Sequence, residues 1–186
     1  MTLSGCVLLF ISKLVCMDTM TFESHSQSPL EQPVKNTSLW VGHLNADSAD
    51  HFAGQTFQCP KEGELKEIQV FSDMVSHPGK LALTIREFDK ESKQWGQVLS
   101  TSVINVDGND TKNWMHFQFD ALPLHKDITY GFQLKAEEEA LVAIGEAVWP
   151  SKTPFVYGEE WGLNNFENKD HYYRYFSLAF KIAMRA

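Results

Sequence analysis

The chain has 186 residues, 43% of them hydrophobic and 22% charged, so it is long enough for one domain with a hydrophobic core. Its formal net charge is −8, and without a cluster of lysine and arginine we expect neither a nucleic-acid partner nor an anionic membrane surface. Cys6, Cys16 and Cys59 are too few for a disulfide scaffold and have no zinc-ligand spacing, so Cys59 is predicted to be a small buried side chain.

Residues 1–20 contain an apolar stretch, Cys6–Ile11, that Ser12 and Lys13 separate from a second one. A membrane-spanning helix needs about 20 apolar residues, so we expect no membrane span. The stretch fits the apolar part of an export signal, which would place the protein outside the cell or at its surface, although no basic residue precedes it. Two other interpretations, a later start at Met17 or Met20 and an N-terminal tail, leave a cytoplasmic location open.

Residues 21–38 are polar and contain two prolines, which is typical of a linker. We therefore expect the folded domain to comprise residues 39–186. We also expect that removal of residues 1–36 leaves its stability nearly unchanged.

From Leu39 onward, short runs alternate between apolar and polar residues and are separated by turn sequences such as His77-Pro78-Gly79. Between Leu65 and Ile68 the alternation shifts by one residue, which indicates a β-bulge. This pattern predicts an all-β fold, an antiparallel two-sheet β-sandwich of jelly-roll type. The predicted strands are 39–44, 52–58, 64–72, 80–89, 97–104, 113–120, 127–136, 140–148, 153–158 and 174–185.

Oxygen-bearing side chains cluster before the second predicted strand. Asn45, Asp47 and Asp50 lie close together and next to His51. Carboxylate and amide oxygens are calcium ligands, although the spacing differs from that of an EF-hand loop. Two interpretations stay open: a polar turn that leads into the strand, or a structural calcium site, which would be the only cofactor we expect.

The segment from Trp149 to Tyr175 combines aromatic rings with amide and carboxylate side chains. Sugars bind by stacking on aromatic faces and by hydrogen bonds to such polar groups. One interpretation is a ligand-binding loop, and the other is a loop whose rings pack over the sandwich as a second core. For the first, Trp161 is the leading candidate for an exposed ring because it lies in a glycine- and asparagine-rich stretch. The full candidate set is Trp161, Trp149, Tyr172, Tyr157 and Asn165.

Three stretches carry a resemblance to a known group of modules. They are Ala53-Gly54-Gln55-Thr56-Phe57 with Cys59-Pro60 and Gly63–Ile68, then Pro78–Ile85, and then Tyr157-Gly158 with Trp161 and Leu178–Ile182. Together they resemble bacterial jelly-roll modules of secreted, surface and phage-associated proteins, which look like carbohydrate-binding modules. The resemblance covers roughly residues 40–185 and departs from the group at Ser177, where an aspartate is common. It implies a fold more than an activity.

No catalytic motif stands out in the chain. Glu159 and Glu160 could form the carboxylate pair of a glycoside hydrolase, but neighbouring residues of a strand face opposite ways, and we favour a solvated loop. We therefore expect a non-catalytic binding module for a glycan or surface polymer. The alternative is a structural or adhesion module that contacts another protein chain, and a glycan-active hydrolase is the third hypothesis. The sequence leaves the oligomeric state open.

Overall fold

The computed structural model describes residues 30–44, 50–148, 158–164 and 169–185. These residues form strands and one short 3-10 turn at Gly108–Asp110. The strands, in chain order, are β1 (Leu30–Gln32), β2 (Thr37–His43), β3 (Asp50–Gln58), β4 (Gly63–His77), β5 (Gly79–Asp89), β6 (Gln94–Val106), β7 (Asn113–Leu124), β8 (Thr129–Glu137), β9 (Leu141–Val148), β10 (Glu160–Asn164), β11 (Lys169–Tyr173), β12 (Phe176–Leu178) and β13 (Phe180–Arg185).

The described strands pair in antiparallel fashion in one long, curled sheet. The main path runs β1-β13-β4-β9-β2-β3-β8-β5-β6. Beside this path, β7 pairs with β4, β12 pairs with β9, and β10 pairs with β3. The curling brings distant strands together. The ring centroids of Phe132 on β8 and Phe180 on β13, for example, lie 5.7 Å apart. One large hydrophobic core therefore lies between the two halves of the curled sheet.

The predicted alternation is confirmed in the strands that form this core. Leu81, Leu83 and Ile85 of β5 are buried on one face, as are Met115 and Phe117 of β7. Inward apolar side chains that alternate with outward polar ones stabilise a sheet with one buried face. The all-β prediction is correct.

The predicted bulge is also present. The pairing of β4 with β7 shifts register between Leu65 and Glu67. The extra residue lets both Leu65 and Ile68 point into the core, although they are three positions apart, and both are fully buried. Cys59 is buried as predicted, is a free thiol and has its Sγ 4.0 Å from the Met184 sulfur.

The predicted linker at 21–38 is wrong for its second half. Leu30–Gln32 forms β1, which pairs with β13, and β2 already begins at Thr37. Leu30 is buried in the main core, and the Gln32 amide accepts a hydrogen bond from the Val34 backbone N–H. A strand that pairs through its backbone with an exposed strand edge needs no apolar alternation. The polar composition of this segment therefore gave no pattern from which the short strand β1 could be predicted.

Candidate functional site

The β10–β11 hairpin extends the sheet beyond the edge of β3. Glu160 pairs with Gln55 of β3 on one side and with Tyr173 of β11 on the other. Gln55 lies on the core face of β3, between Ala53 and Phe57, which both belong to the core. Residues directly opposite each other in a sheet share a face, so Glu160 and Tyr173 also point toward the inner side of the curled sheet.

Trp161 points to the outer face, where it is buried and not exposed as expected. It is 4% exposed and packs in a small cluster with Phe52 and Phe88. The partly buried rings of Trp95 and Tyr172 cover this cluster, with centroids 5.5 and 5.4 Å from the Trp161 ring. The role of Trp161 as an exposed binding platform is therefore corrected, and the second interpretation, rings that form a further small core, applies to it.

Two glycines of the sheet make room for these rings. A Cβ at Gly131 would lie 2.5 Å from the Trp95 ring, and a Cβ at Gly54 would lie 3.1 Å from the Trp161 Cβ. The absence of side chains at these positions lets the two indoles lie directly on the sheet. Tyr172 is half-buried, with the Lys93 Nζ 5.1 Å from its ring centroid. Trp149, Tyr157 and Asn165, the other three candidates, lie outside the described residues.

Glu159 and Glu160 face opposite sides of the hairpin, as their adjacency predicts. The Glu159 carboxylate pairs with Lys93, at 2.6 Å from Nζ, and with Arg174, at 3.6 Å from Nε. Glu160 is 4% exposed, so the expectation that both lie in a solvated loop is wrong for Glu160. Its inward position follows from the pairing of β10 with the buried strand β3.

The partner of Glu160 is Glu146 of β9. Val142 and Ile144 of that strand belong to the core, and Glu146 follows them on the same face and is 6% exposed. The two carboxyl groups hydrogen-bond to each other. We call Glu146 and Glu160 the carboxyl pair.

Burial perturbs both members of the carboxyl pair. It raises the pKa of Glu160 well above the usual range, and the negative charge of Glu146 raises it further. Burial also raises the pKa of Glu146, while the hydrogen bond with Glu160 lowers it. Both shifts favour the protonated form, most strongly at Glu160, so the two buried carboxyls do not carry two negative charges side by side.

Buried polar groups hold the neighbouring strands in place beside the pair. The Gln55 Oε1 accepts hydrogen bonds from the Leu178 N–H at 3.0 Å and from the Ser177 Oγ at 3.2 Å. Its Nε2 donates to the Thr56 carbonyl at 3.0 Å. These bonds connect β3 to β12, and β12 itself pairs with Glu146 through Leu178. The strands that carry the carboxyl pair are thus fixed relative to each other.

The carboxyl pair lies in the wall of a cavity of about 410 Å³, within the range of small-ligand pockets. We call this cavity the pocket. Three half-buried rings, Trp40, Tyr173 and Phe176, also line it, and we call them the pocket rings. Those of Tyr173 and Phe176 lie 5.6 Å apart, edge to face. The remaining lining residues are Leu39, Leu44, His51, Phe52 and Gly162.

Of the three candidate calcium ligands, one lies among the described residues, Asp50. Asp50 is exposed, and its Oδ1 lies 3.1 Å from the Nδ1 of His43. Asn45 and Asp47 lie outside the described residues. Within the described ranges, no group of three or more histidine, cysteine, aspartate or glutamate side chains is placed to hold a metal ion.

The chemistry open to the pocket depends on the separation of its two carboxyls. Glycoside hydrolases keep their two carboxyls about 5–10 Å apart to accommodate the sugar or a water molecule. Two carboxyls that hydrogen-bond to each other are closer together than this, so the carboxyl pair does not match the spacing of a glycoside hydrolase. The arrangement instead offers buried carboxyl oxygens and aromatic faces to a ligand.

No protein-family model matches the chain, and a search of curated proteins finds no similar sequence. The resemblance to jelly-roll modules therefore stays a prediction. In the part of the chain that the structure describes, no helix has the length and apolar character to cross a membrane.

Sequence reasoning missed most of the pocket. Glu146 and Trp40 were not among the candidates, nor was Phe176, and Glu160 was considered only with the wrong partner. One signal was present: Val142, Ile144 and Glu146 follow a period of two, which places a carboxyl on a core face. A charge on a face that should be buried is more informative than the density of rings in a loop.

Proposed function

We propose that this protein is a non-catalytic binding module that holds a glycan or surface polymer in the pocket. The observation that carries the proposal is the buried carboxyl pair in an aromatic-lined cavity. We further propose that the curled sheet is a two-sheet jelly-roll sandwich and that the protein acts outside the cell or at its surface.

The composition of the pocket supports a sugar ligand. The pocket rings offer apolar faces for the C–H faces of a sugar ring, and the carboxyl pair offers oxygens for its hydroxyl groups. A volume of about 410 Å³ is that of a small-ligand site, so one or two sugar units of a longer chain would enter it. The rest of the polymer would extend over the surface.

The experiment is isothermal titration calorimetry with a panel of oligosaccharides, on the wild type and on Tyr173→Ala and Phe176→Ala. Loss of a stacking ring should weaken binding about tenfold, since a stacked ring contributes about 0.5–1.5 kcal/mol beyond the area that it buries and about 1.4 kcal/mol is tenfold in affinity. Trp114→Ala is the matched control, because Trp114 is also half-buried but packs against Phe71 outside the pocket. A wild type that binds no member of the panel, or equal losses in all three variants, would refute the proposal.

A second candidate function, a structural or adhesion module, has its own observation. Strand β6 ends the main path of the sheet and carries two exposed valines, Val98 and Val103, at 50% and 49% exposure. Edge strands with exposed β-branched side chains pair readily with other chains. If this function applies, Val103→Lys should abolish self-association or partner binding measured by light scattering and leave oligosaccharide affinity unchanged.

A further inference from the structure

The carboxyl pair makes the pocket acidic, and His51 is the one basic side chain among its described lining residues. No lysine or arginine is among its described lining residues, which do include the carboxyl pair. Among the described cations, the Lys35 Nζ lies 3.8 Å from the Phe71 ring centroid, and Lys93 and Arg174 pair with Glu159. The Lys135 Nζ lies 5.8 Å from the ring centroid of Phe52, at the edge of the pocket. The charge of the pair therefore has no lysine or arginine counter-ion among the described lining residues.

An oxygen of the pair also lacks a partner. The Glu160 Oε2 is buried and has no hydrogen-bond partner among the described residues. A buried polar atom without a partner costs free energy, and a buried charge without a counter-ion costs more. A ligand that supplies both a positive charge and several hydrogen-bond donors would remove both costs at once.

We propose that the pocket binds a sugar unit with a free, protonated amino group, whose ammonium lies between the carboxyl pair and the pocket rings. The inference rests on the proposed function and names its ligand class: an amino sugar that is not acetylated. An ammonium has three N–H donors for the carboxyl oxygens, and aromatic faces attract cations.

Other ligands satisfy the pocket less well. The hydroxyls of a neutral sugar donate hydrogen bonds but leave the buried charge unbalanced. Calcium requires six to eight oxygen ligands, whereas the described lining residues supply two carboxyl groups and no third one.

The ammonium and the charge of the carboxyl pair balance each other, so binding requires no release of the shared proton. The other titratable groups that line the pocket are His51 on β3 and Tyr173 on β11, while the lining residues from β2 and β12 are not titratable.

The test compares three tetrasaccharides by calorimetry at about pH 7: those of glucosamine, N-acetylglucosamine and glucose. We expect the glucosamine form to bind at least about tenfold more tightly than the other two. Glu160→Gln and Glu146→Gln should each remove about tenfold of that affinity and change N-acetylglucosamine binding less than about threefold. Glu139→Gln, which removes a carboxylate from an exposed position, is the matched control and should bind as the wild type does.

The outcomes separate this inference from the proposed function. Equal affinity for the free-amine and N-acetylated forms would overturn the inference and leave the glycan-binding function standing. No binding of any tetrasaccharide would overturn both. Calcium chloride is the fourth probe, and a calcium affinity that Glu160→Gln abolishes would also overturn the inference. The wild-type comparison needs no variant, so a variant that fails to fold does not prevent the test.

Discussion

Replacement of Trp161 by alanine tests the assignment of this ring to the outer cluster. The side chain is 4% exposed, and its ring centroid lies 5.3 Å from that of Phe88 and 5.5 Å from that of Trp95. Truncation of a buried tryptophan costs about 3–5 kcal/mol of stability. The indole Nε1 is buried and has no partner among the described residues, so its removal offsets part of the loss. We expect a loss of about 3 kcal/mol in the free energy of unfolding.

Urea denaturation, followed by circular dichroism, measures this change. Tyr175→Ala is the matched control, because Tyr175 is a nearby ring that is 43% exposed, and its loss should cost less than about 0.5 kcal/mol. Trp161 does not line the pocket, so oligosaccharide affinity under folding conditions should change little. A stability loss below about 1 kcal/mol together with a loss of ligand affinity would restore the exposed platform and refute the reasoning.

Three further predictions concern other parts of the fold. Gly131→Ala should lower the free energy of unfolding by about 1–3 kcal/mol in the same denaturation assay, because the added Cβ meets the Trp95 ring at 2.5 Å; an unchanged stability would contradict this packing. A chain that begins at Pro33 should be less stable than one that begins at Leu30 by about 2 kcal/mol, since it lacks β1 and the buried Leu30. Equal melting temperatures of the two chains would indicate that residues 30–32 belong to a linker. Because the pKa of Glu160 is raised in the folded state, the folded state binds more protons than the unfolded state does. The contribution of Glu160 to stability is therefore complete below about pH 4.3, the ordinary pKa of a glutamate, and is lost as the pH rises through the pKa of the folded state. Glu160→Gln does not titrate, so its stability relative to the wild type should increase from about pH 5 to about pH 8, and a constant difference would argue against a buried carboxyl.

Much of the strand pattern could be predicted from the sequence, because alternation reports directly on which side chains a sheet buries. The run Leu81, Leu83 and Ile85 lies in β5 as expected, and the bulge after Leu65 is where the alternation shifts. The short strand β1 could not be found in this way, since a three-residue edge strand is held by backbone hydrogen bonds that leave no pattern in side-chain type.

The site was harder to predict because it depends on how distant strands meet. The local sequence of Trp161 is rich in glycine and asparagine and predicts exposure, whereas its burial depends on residues far away in the chain. Gly54 leaves room for Trp161 itself, and Gly131 leaves room for the Trp95 ring that covers it. Glu160 becomes buried only because β10 pairs with β3, and it meets Glu146 only because the sheet curls. Period-two alternation predicts the face of a residue but not its neighbour across the core.

The proposed binding mode depends most on the protonation of the carboxyl pair, and a carbon-13 NMR titration of the glutamate side-chain carboxyls measures this protonation directly. We expect one resonance, assigned through the Glu160→Gln variant, to stay protonated well above the ordinary glutamate pKa of about 4.3. Titration of both Glu146 and Glu160 near the ordinary pKa of about 4.3 would show that they neither share a proton nor lie buried together, which would contradict the account.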